Sequence, residues 1–178
     1  MANGTNASWV TAVFRRICED YVPFDVNVTT DFNVFRAANV KKRVQCVFTS
    51  TNFEGAGTGG IAGLGTFGTD TVCWVFWDDE YFSSYAASHE VGHTLGLSHD
   101  GDSSTEYYGG HGDGETSWAP LMGNGFYDVS DPFERPNVTQ WSNGDYADAN
   151  NQEDDLVIIT TTTARSDDNE EKNGLNFR

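Results

Sequence analysis

Three histidines and a glutamate lie within eleven residues of this chain, in the order His89, Glu90, His93 and His99. His89 and His93 are four residues apart, so on an α-helix both imidazoles project from one face, one turn apart. Three imidazole nitrogens with one open coordination position form the ligand set of a catalytic zinc site. Glu90 would lie about 100° around the helix from His89, where a general base belongs. The spacing predicts one catalytic Zn²⁺ held by the three histidines, with Glu90 as the base.

A single amphipathic helix is predicted to position these side chains. Ala87, Val91 and Leu95 recur every four residues on the side opposite the histidines, where they can face a core. Gly96 can adopt the left-handed conformation that ends a helix, and this reversal would let His99 reach the metal from outside the helix. The alternative, two surface histidines on an ordinary helix, does not account for the third histidine.

The residues from His89 to His99 read H-E-V-G-H-T-L-G-L-S-H. This run resembles the H-E-x-x-H-x-x-G-x-x-H signature of the metzincin zinc endopeptidases. Asp100, directly after the third histidine, is similar to the residue at that place in the adamalysin (reprolysin) branch. Metzincins also carry a methionine turn beneath the zinc, and A-P-L-M-G at residues 119–123 resembles it. Met122 is therefore expected to form a hydrophobic floor under the histidines.

The resemblance implies an α+β fold with a twisted mixed sheet of about five strands. Residues 1–96 would hold the sheet and the active-site helix. Residues 97–178 would form a smaller, irregular C-terminal subdomain with the third histidine and the methionine turn. The chain would then be one catalytic domain, residues 1–178. A secreted peptidase needs an export signal, and the first residues lack its apolar core, so we expect an excised catalytic domain.

The substrate side of the site is also an expectation from the resemblance. A glycine-rich segment occupies the place of the edge strand that pairs with the peptide, and its small side chains would let a backbone approach; a flexible loop is the alternative. Residues after Met122, up to about Val129, should line the pocket for the side chain following the cleaved bond. Astacins and serralysins place a zinc-reaching tyrosine where this chain has Asn124, and Tyr127 is too displaced to replace it. The substrate-binding candidates are Gly60, Ile61, Ala62, Gly63, Leu64, Gly65 and Tyr127.

The function implied is zinc-dependent hydrolysis of peptide bonds in proteins by a secreted or cell-surface monomer. The metal would lower the pKa of a water and polarise the scissile carbonyl, and Glu90 would move the water's proton to the leaving amine. A non-catalytic zinc-containing module that binds an extracellular protein is the alternative of a different class. A zinc hydrolase acting on a non-peptide amide is a third interpretation.

The net charge of the chain limits which classes of molecule it can be expected to bind. The 178 residues carry a formal net charge of −17. Because this charge repels phosphate backbones and anionic lipid, we expect neither nucleic-acid binding nor membrane insertion. The charge leaves calcium binding by acidic loops open, although a solvated acidic surface is the simpler interpretation. The oxygen ligands available are those of Asp100, Asp102, Asp113, Glu115, Asp145 and Asp148. His111, outside the motif, is expected to be a loop residue.

Away from the motif, the pattern predicts the scaffold. A helix is expected from Ser8 to the residues before Pro23, and alternation through residues 24–30 predicts a half-buried strand. A short helix is expected at residues 35–39, and strands at 44–49 and 72–77. Cys46 and Cys73 lie on these two strands. They could form one disulfide, or they and Cys18 could be three free thiols, and the sequence leaves both alternatives open.

The sequence also predicts where the zinc helix begins and which element ends the domain. The acidic residues Asp78, Asp79 and Glu80 favour the N-terminus of the zinc helix, and Ser83 or Ser84 is expected to cap it. Residues 152–160 are predicted as a C-terminal helix. Their β-branched side chains leave a strand as the alternative.

Overall fold

The computed structural model describes residues 6–126 and 138–163. These two ranges form four α-helices and five short β-strands, with 3₁₀ turns at Val40–Lys42 and Gly114–Thr116. The helices are α1 (Ala7–Tyr21), α2 (Phe32–Ala37), α3 (Glu80–Leu95) and α4 (Asp155–Thr163). The strands are β1 (Gln45–Phe48), β2 (Gly60–Ile61), β3 (Val72–Val75), β4 (Trp118–Pro120) and β5 (Val138–Gln140). The mixed α+β class predicted from the sequence is confirmed.

The main sheet is small and mixed. Its strand order is β1-β3-β2, with β1 parallel to β3 and β2 antiparallel to it. Strands β4 and β5 form a separate parallel pair. The expectation of about five strands in one sheet is therefore wrong for the described ranges, where the main sheet has three. In this sheet β2 lies at an edge, beside the central strand β3.

The strand predicted at residues 24–30 is not formed; only Phe24 makes an isolated bridge. The alternation of Phe24, Val26 and Val28 has another cause. These side chains pack against an apolar cluster that includes Leu97 and Ile159. Alternating burial therefore arises here from packing on that cluster, without the ladder hydrogen bonds that define a strand.

Helix α3 begins earlier than its serines suggested. The side chain of Asp79 caps it by accepting hydrogen bonds from the backbone N–H groups of Tyr81 and Phe82. Ser83 and Ser84 lie inside the helix and donate to the carbonyls of Trp77 and Tyr81. The predicted serine cap is therefore wrong, because the helix already begins at Glu80 and the Asp79 carboxylate serves its first free N–H groups.

The other end of α3 forms as predicted. Gly96 has φ 109° and ψ 6°, and its N–H bonds back to the carbonyls of Gly92 and His93. This left-handed residue satisfies carbonyls of the last turn and reverses the chain. The reversal sends residues 97–100 back along the side of the helix that carries His93.

The apolar core beneath the site joins both halves of the chain. Its buried members are Tyr21, Phe24, Leu95, Leu97, Met122 and Ile159. Ile159 lies on α4, so the C-terminal helix prediction is confirmed with its bounds moved to 155–163. The β-branched run stays helical because Ile159 is fully buried in this core, while Thr160 and Thr163 donate to the carbonyls of Leu156 and Ile159.

The remaining scaffold predictions differ from the structure mainly in bounds. Helix α1 ends at Tyr21, two residues before Pro23, as predicted. Helix α2 begins at Phe32 rather than near residue 35, because Asp31 caps it by accepting from Asn33. The three cysteines are free, although Cys46 and Cys73 are register partners on β1 and β3. In residues 6–126 and 138–163, no helix has the length and apolarity needed to span a membrane.

Candidate metal centre

The structure brings together the three histidines predicted as ligands. One ring nitrogen from each of His89, His93 and His99 lies within 4.8 Å of the others. The Nε2 atoms of His93 and His99 are 3.0 Å apart. Two nitrogens bound to one tetrahedral zinc at ~2.05 Å would be separated by roughly 3.3 Å. The three side chains therefore lie close enough to hold a metal ion.

The second ring nitrogen of each histidine is held by an oxygen acceptor. Nδ1 of His89 lies 2.8 Å from the carbonyl oxygen of Leu121, and Nδ1 of His93 lies 2.7 Å from that of Leu97. Nδ1 of His99 lies 2.6 Å from Oε1 of Glu106. Because these partners can only accept, we assign the ring hydrogen to Nδ1 in all three neutral histidines. Each Nε2 is then a free lone pair, the form that binds a metal.

This tautomer assignment supports a cation at the site. With hydrogens on both Nδ1 atoms, the Nε2 lone pairs of His93 and His99 face each other at 3.0 Å. Two facing acceptors repel unless a proton or a cation lies between them. A metal ion would satisfy both lone pairs together with that of His89, so the residues present fit such an ion.

Burial keeps two of these imidazoles uncharged. It lowers the pKa of His89 to about 3, with a further lowering by His93 and a smaller opposing effect of the Leu121 carbonyl. Burial also lowers the pKa of His93. Protonation would block Nε2 as a ligand, so the neutral state is the one that can bind a cation near pH 7.

Glu90 lies in the same cleft, next to the histidines. The residue is only 7% exposed, and burial raises the pKa of its carboxyl group to about 8. A Cβ atom at Gly60 would lie 2.7 Å from both Cγ and Oε1 of Glu90. The glycine on β2 therefore leaves the space that this side chain occupies, a different role from the substrate approach expected from the sequence.

The cleft in front of the histidines has a volume of about 560 Å³. Of the predicted substrate-binding segment, Gly60, Ile61 and Ala62 line it. Gly63, Leu64 and Gly65 do not line it; β2 ends at Ile61, and the Gly65 N–H donates to the carbonyl of His93. Two of the six residues, Gly60 and Ile61, form a strand at the edge of the described sheet, and the pairing with a peptide stays a prediction. Tyr127 lies outside the described residues.

The cleft also has aromatic walls. Trp77, Tyr85 and Phe126 line it, and the Phe126 ring centroid is 4.7 Å from that of Tyr85 and 6.0 Å from that of Trp77. The Tyr85 hydroxyl donates toward the Gly123 carbonyl at 2.8 Å. Asn124, at the place where some metzincins have tyrosine, lines the cleft as well. An apolar pocket thus adjoins the histidines and Glu90.

The segment resembling a methionine turn runs behind the histidines. Met122 is fully buried, and its carbonyl oxygen accepts from the Asp100 N–H at 2.8 Å. Gly123 closes the turn by donating to Pro120. Leu121 supplies the carbonyl that holds His89. The turn therefore contacts both His89 on α3 and Asp100, the residue after His99.

Asp100, four residues after Gly96, is fully buried. Its Oδ1 accepts from Nδ2 of Asn151 at 3.3 Å, and its backbone carbonyl accepts from the Tyr108 N–H. Burial, with a contribution from Glu153, raises the pKa of Asp100 to about 7. Asp100 is thus tied to the methionine turn, to the loop that ends at Tyr108 and to the start of the C-terminal helical region.

Two residues of the site had no signal in the sequence. Glu106 bonds to His99, and the Tyr107 ring centroid lies 4.2 Å from that of His99. Burial raises the pKa of Tyr107, and the charges of Glu106 and Glu90 raise it further. Both residues belong to a polar, glycine-rich stretch that suggests a functional loop without indicating which side chain acts.

Other candidate ligands stay apart from this centre. His111 is exposed, and its ring lies beside Tyr108 and Trp118. Among the described residues, the three motif histidines are the one group of three or more His, Cys, Asp or Glu side chains close enough to share an ion. The six acidic residues considered for calcium form no such group there.

The arrangement can hold one divalent cation on three neutral imidazoles, with a carboxyl group and an apolar pocket on the open side. Such a set can polarise a carbonyl and activate a water. Comparison of the sequence with protein-family models gives no match, and neither does comparison with curated proteins. The chemistry of the site must therefore be argued from its own side chains.

Proposed function

We propose that this chain is the catalytic domain of a zinc-dependent metalloendopeptidase of the metzincin type, similar to the reprolysin branch, and that it works outside the cell. The observation that carries the proposal is the convergence of three Nε2 atoms in one cleft with the Glu90 carboxyl group. A structural zinc site would fill its fourth position with protein and would have no use for a base. The reprolysin-like assignment is supported by Asp100 alone.

The three histidines and Glu90 have distinct tasks in this proposal. His89, His93 and His99 would hold the ion, and their oxygen partners fix the ring orientations. Bound Zn²⁺ supplies Lewis-acid chemistry that polarises a carbonyl and acidifies a water. Glu90 takes the proton from the attacking water and delivers it to the leaving amine. Its ionised form is favoured beside a dication, which opposes the effect of burial on its pKa.

The position of β2 at the sheet edge supports the proposal that the substrate is a peptide. Among the strands that the structure describes, β2 pairs with β3 alone, and it lies at the rim of the cleft. An extended peptide can add to such an edge through backbone hydrogen bonds, which places its carbonyl groups along the cleft. The aromatic wall of Trp77, Tyr85 and Phe126 would then receive an apolar side chain of the peptide.

The test is cleavage of casein by the zinc-loaded protein and by two glutamate variants. Glu90→Gln should lose more than about 10²-fold in rate, since it removes the base, while its zinc content stays at one ion per chain. Glu80→Gln is the matched control, because Glu80 is an exposed residue in the first turn of the same helix. The proposal fails if wild-type protein with bound zinc cleaves neither casein nor a mixed peptide library, or if Glu90→Gln cleaves at the wild-type rate.

A further inference from the structure

The three histidines differ in what holds their second nitrogen. Leu121 and Leu97 offer backbone carbonyls to His89 and His93. His99 alone is held by a charged side chain, with 2.6 Å between its Nδ1 and Oε1 of Glu106. A carbonyl is neutral and set by the fold, whereas a carboxylate adds a negative charge next to the proposed metal ion.

The loop that carries Glu106 is closed tightly against the chain beside His99. Asp102 accepts hydrogen bonds from the N–H groups of Ser104 and Thr105. A Cβ atom at Gly101 would lie 2.3 Å from the carbonyl oxygen of Thr105 and 2.6 Å from that of Glu106. The backbone of the loop therefore packs on Gly101. This packing places Glu106 beside His99, which lies just before the loop in the sequence.

Tyr107 completes the enclosure of His99. Its ring centroid lies 4.2 Å from that of His99 and 6.3 Å from that of His89. The imidazole of His99 thus has the phenol ring on one face and the Glu106 carboxylate at its Nδ1 edge. A flip of the His99 ring would break its hydrogen bond to Glu106, so the carboxylate favours the orientation in which Nε2 faces His93.

We propose that Glu106 is a positioning residue that sets metal affinity at this centre by holding the Nδ1–H of His99. The inference rests on the metal site of the proposed function. A carboxylate on Nδ1–H orients the ring and raises the basicity of Nε2, and loss of such a partner commonly weakens metal binding by about 10- to 100-fold. The Glu106 side chain is 68% exposed, and exposed pairs of this kind contribute little to folding. Its effect should therefore fall on the metal rather than on the stability of the fold.

The experiment compares zinc affinity, by competition with a chromogenic chelator, in Glu106→Gln, Glu106→Ala and Asp113→Asn. Gln keeps an acceptor without the charge and should weaken zinc binding about 10-fold, and Ala, which removes both, about 100-fold. Asp113 is an exposed acid in the same polar stretch, so Asp113→Asn removes the same charge away from His99 and should leave affinity unchanged. The visible spectrum of the cobalt-substituted protein should change in Glu106→Gln and not in Asp113→Asn.

The outcomes are separable from those of the proposed function. Metal-free melting temperatures should agree within about 4 °C, roughly 1 kcal/mol for a chain of this size, and the near-isosteric Gln variant keeps the test valid if Ala fails to fold. Zinc affinities of both Glu106 variants within twofold of Asp113→Asn would overturn the inference. If wild-type protein binds zinc but cleaves no peptide, the peptidase proposal fails, while the affinities still decide the role of Glu106.

Discussion

A Cβ atom placed on Gly92 would lie 2.7 Å from the Sδ atom of Met122. Gly92 lies on α3 between two of the proposed ligands, and Met122 is fully buried in the turn behind them. The same Cβ would come within 3.3 Å of Trp141 and 3.4 Å of Leu97. A glycine in mid-helix, unfavourable by propensity, is therefore what lets the helix and the methionine turn approach each other.

Gly92→Ala should destabilise the protein. Helix propensity favours Ala by about 1 kcal/mol, but forcing a methyl group into a filled core costs about 1–3 kcal/mol. Urea unfolding should show a net loss in the wild-type background. In a Met122→Ala background the sulfur is gone, and the same substitution should become neutral or stabilising. Equal effects in both backgrounds would mean that the Sδ contact does not decide the residue at this position.

Gly60→Ala should impair catalysis while zinc stays bound. The added methyl would meet Cγ and Oε1 of Glu90 and the carbonyl oxygen of Trp74, so the base must move. Displacement of a reacting group by about 1 Å can cost on the order of 10²-fold in rate. Gly109→Ala is the matched control, because a Cβ there meets nothing closer than 4.0 Å. The prediction is checked by kcat/KM and zinc content, and comparable activity of the two variants would contradict it.

Asp155 should make the metal-free protein less stable as pH rises. The carboxyl group is fully buried, and burial, with a contribution from Asp100, raises its pKa to about 8. An unfolded chain releases this proton near pH 4, so between about pH 4 and 8 the folded state holds more protons. The unfolding free energy must then fall as pH rises, by at most about 1.4 kcal/mol for each unit of pKa shift.

Asp155→Asn removes this titration and keeps an oxygen that can accept from the Ser142 N–H, as Oδ2 does now at 2.8 Å. In the presence of chelator, the variant should match wild type near pH 4 and exceed it at pH 8. Asp154→Asn, at the exposed neighbouring position, should follow the wild-type curve. Parallel pH dependences of Asp155→Asn and wild type would show that Asp155 ionises normally.

Removal of the metal should lower stability as well as activity. An ion that binds only the folded state adds about 2.7 kcal/mol when its free concentration is 100 times Kd. Calorimetry should therefore show a lower melting temperature after chelation, and zinc should restore both melting temperature and cleavage. Glu90→Gln should show the same thermal shift, since Glu90 is not a proposed ligand. His93→Ala should show little or none, and a full shift in that variant would count against ligation by His93.

The local geometry of the site was predictable because it depends on residues close in sequence. The four-residue spacing of His89 and His93 determines which face of a helix carries the first two proposed ligands. Gly96 and His99, each three residues further along, determine where the chain turns back. The structure places the three rings together as this pattern predicts. Helix α4 was predicted as well, although its observed bounds lie three residues further along the chain. The acidic residues at its start are a local helix signal, whereas the β-branched residues that follow them favour a strand.

The strand at residues 24–30 was predicted wrongly because a strand depends on residues that are distant in the sequence. Alternation reports which side chains are buried, and Phe24, Val26 and Val28 are indeed packed on the core. Whether such a segment is a strand depends on a neighbouring backbone to pair with, which no local pattern encodes. The figure of about five strands came from the family resemblance, and the main sheet has three strands within residues 6–126 and 138–163.

By itself, the sequence determined the types of the proposed ligands, their helical spacing and the place of the proposed base, since i to i+4 geometry follows from the chain alone. Only the tertiary structure decided what surrounds them. Glu106 reaches His99 through a folded loop, the Leu121 carbonyl reaches His89 across 32 positions, and Gly60 on β2 makes room for Glu90 on α3. Such contacts are set by which backbones pack together, and packing between distant segments is a property of the whole core.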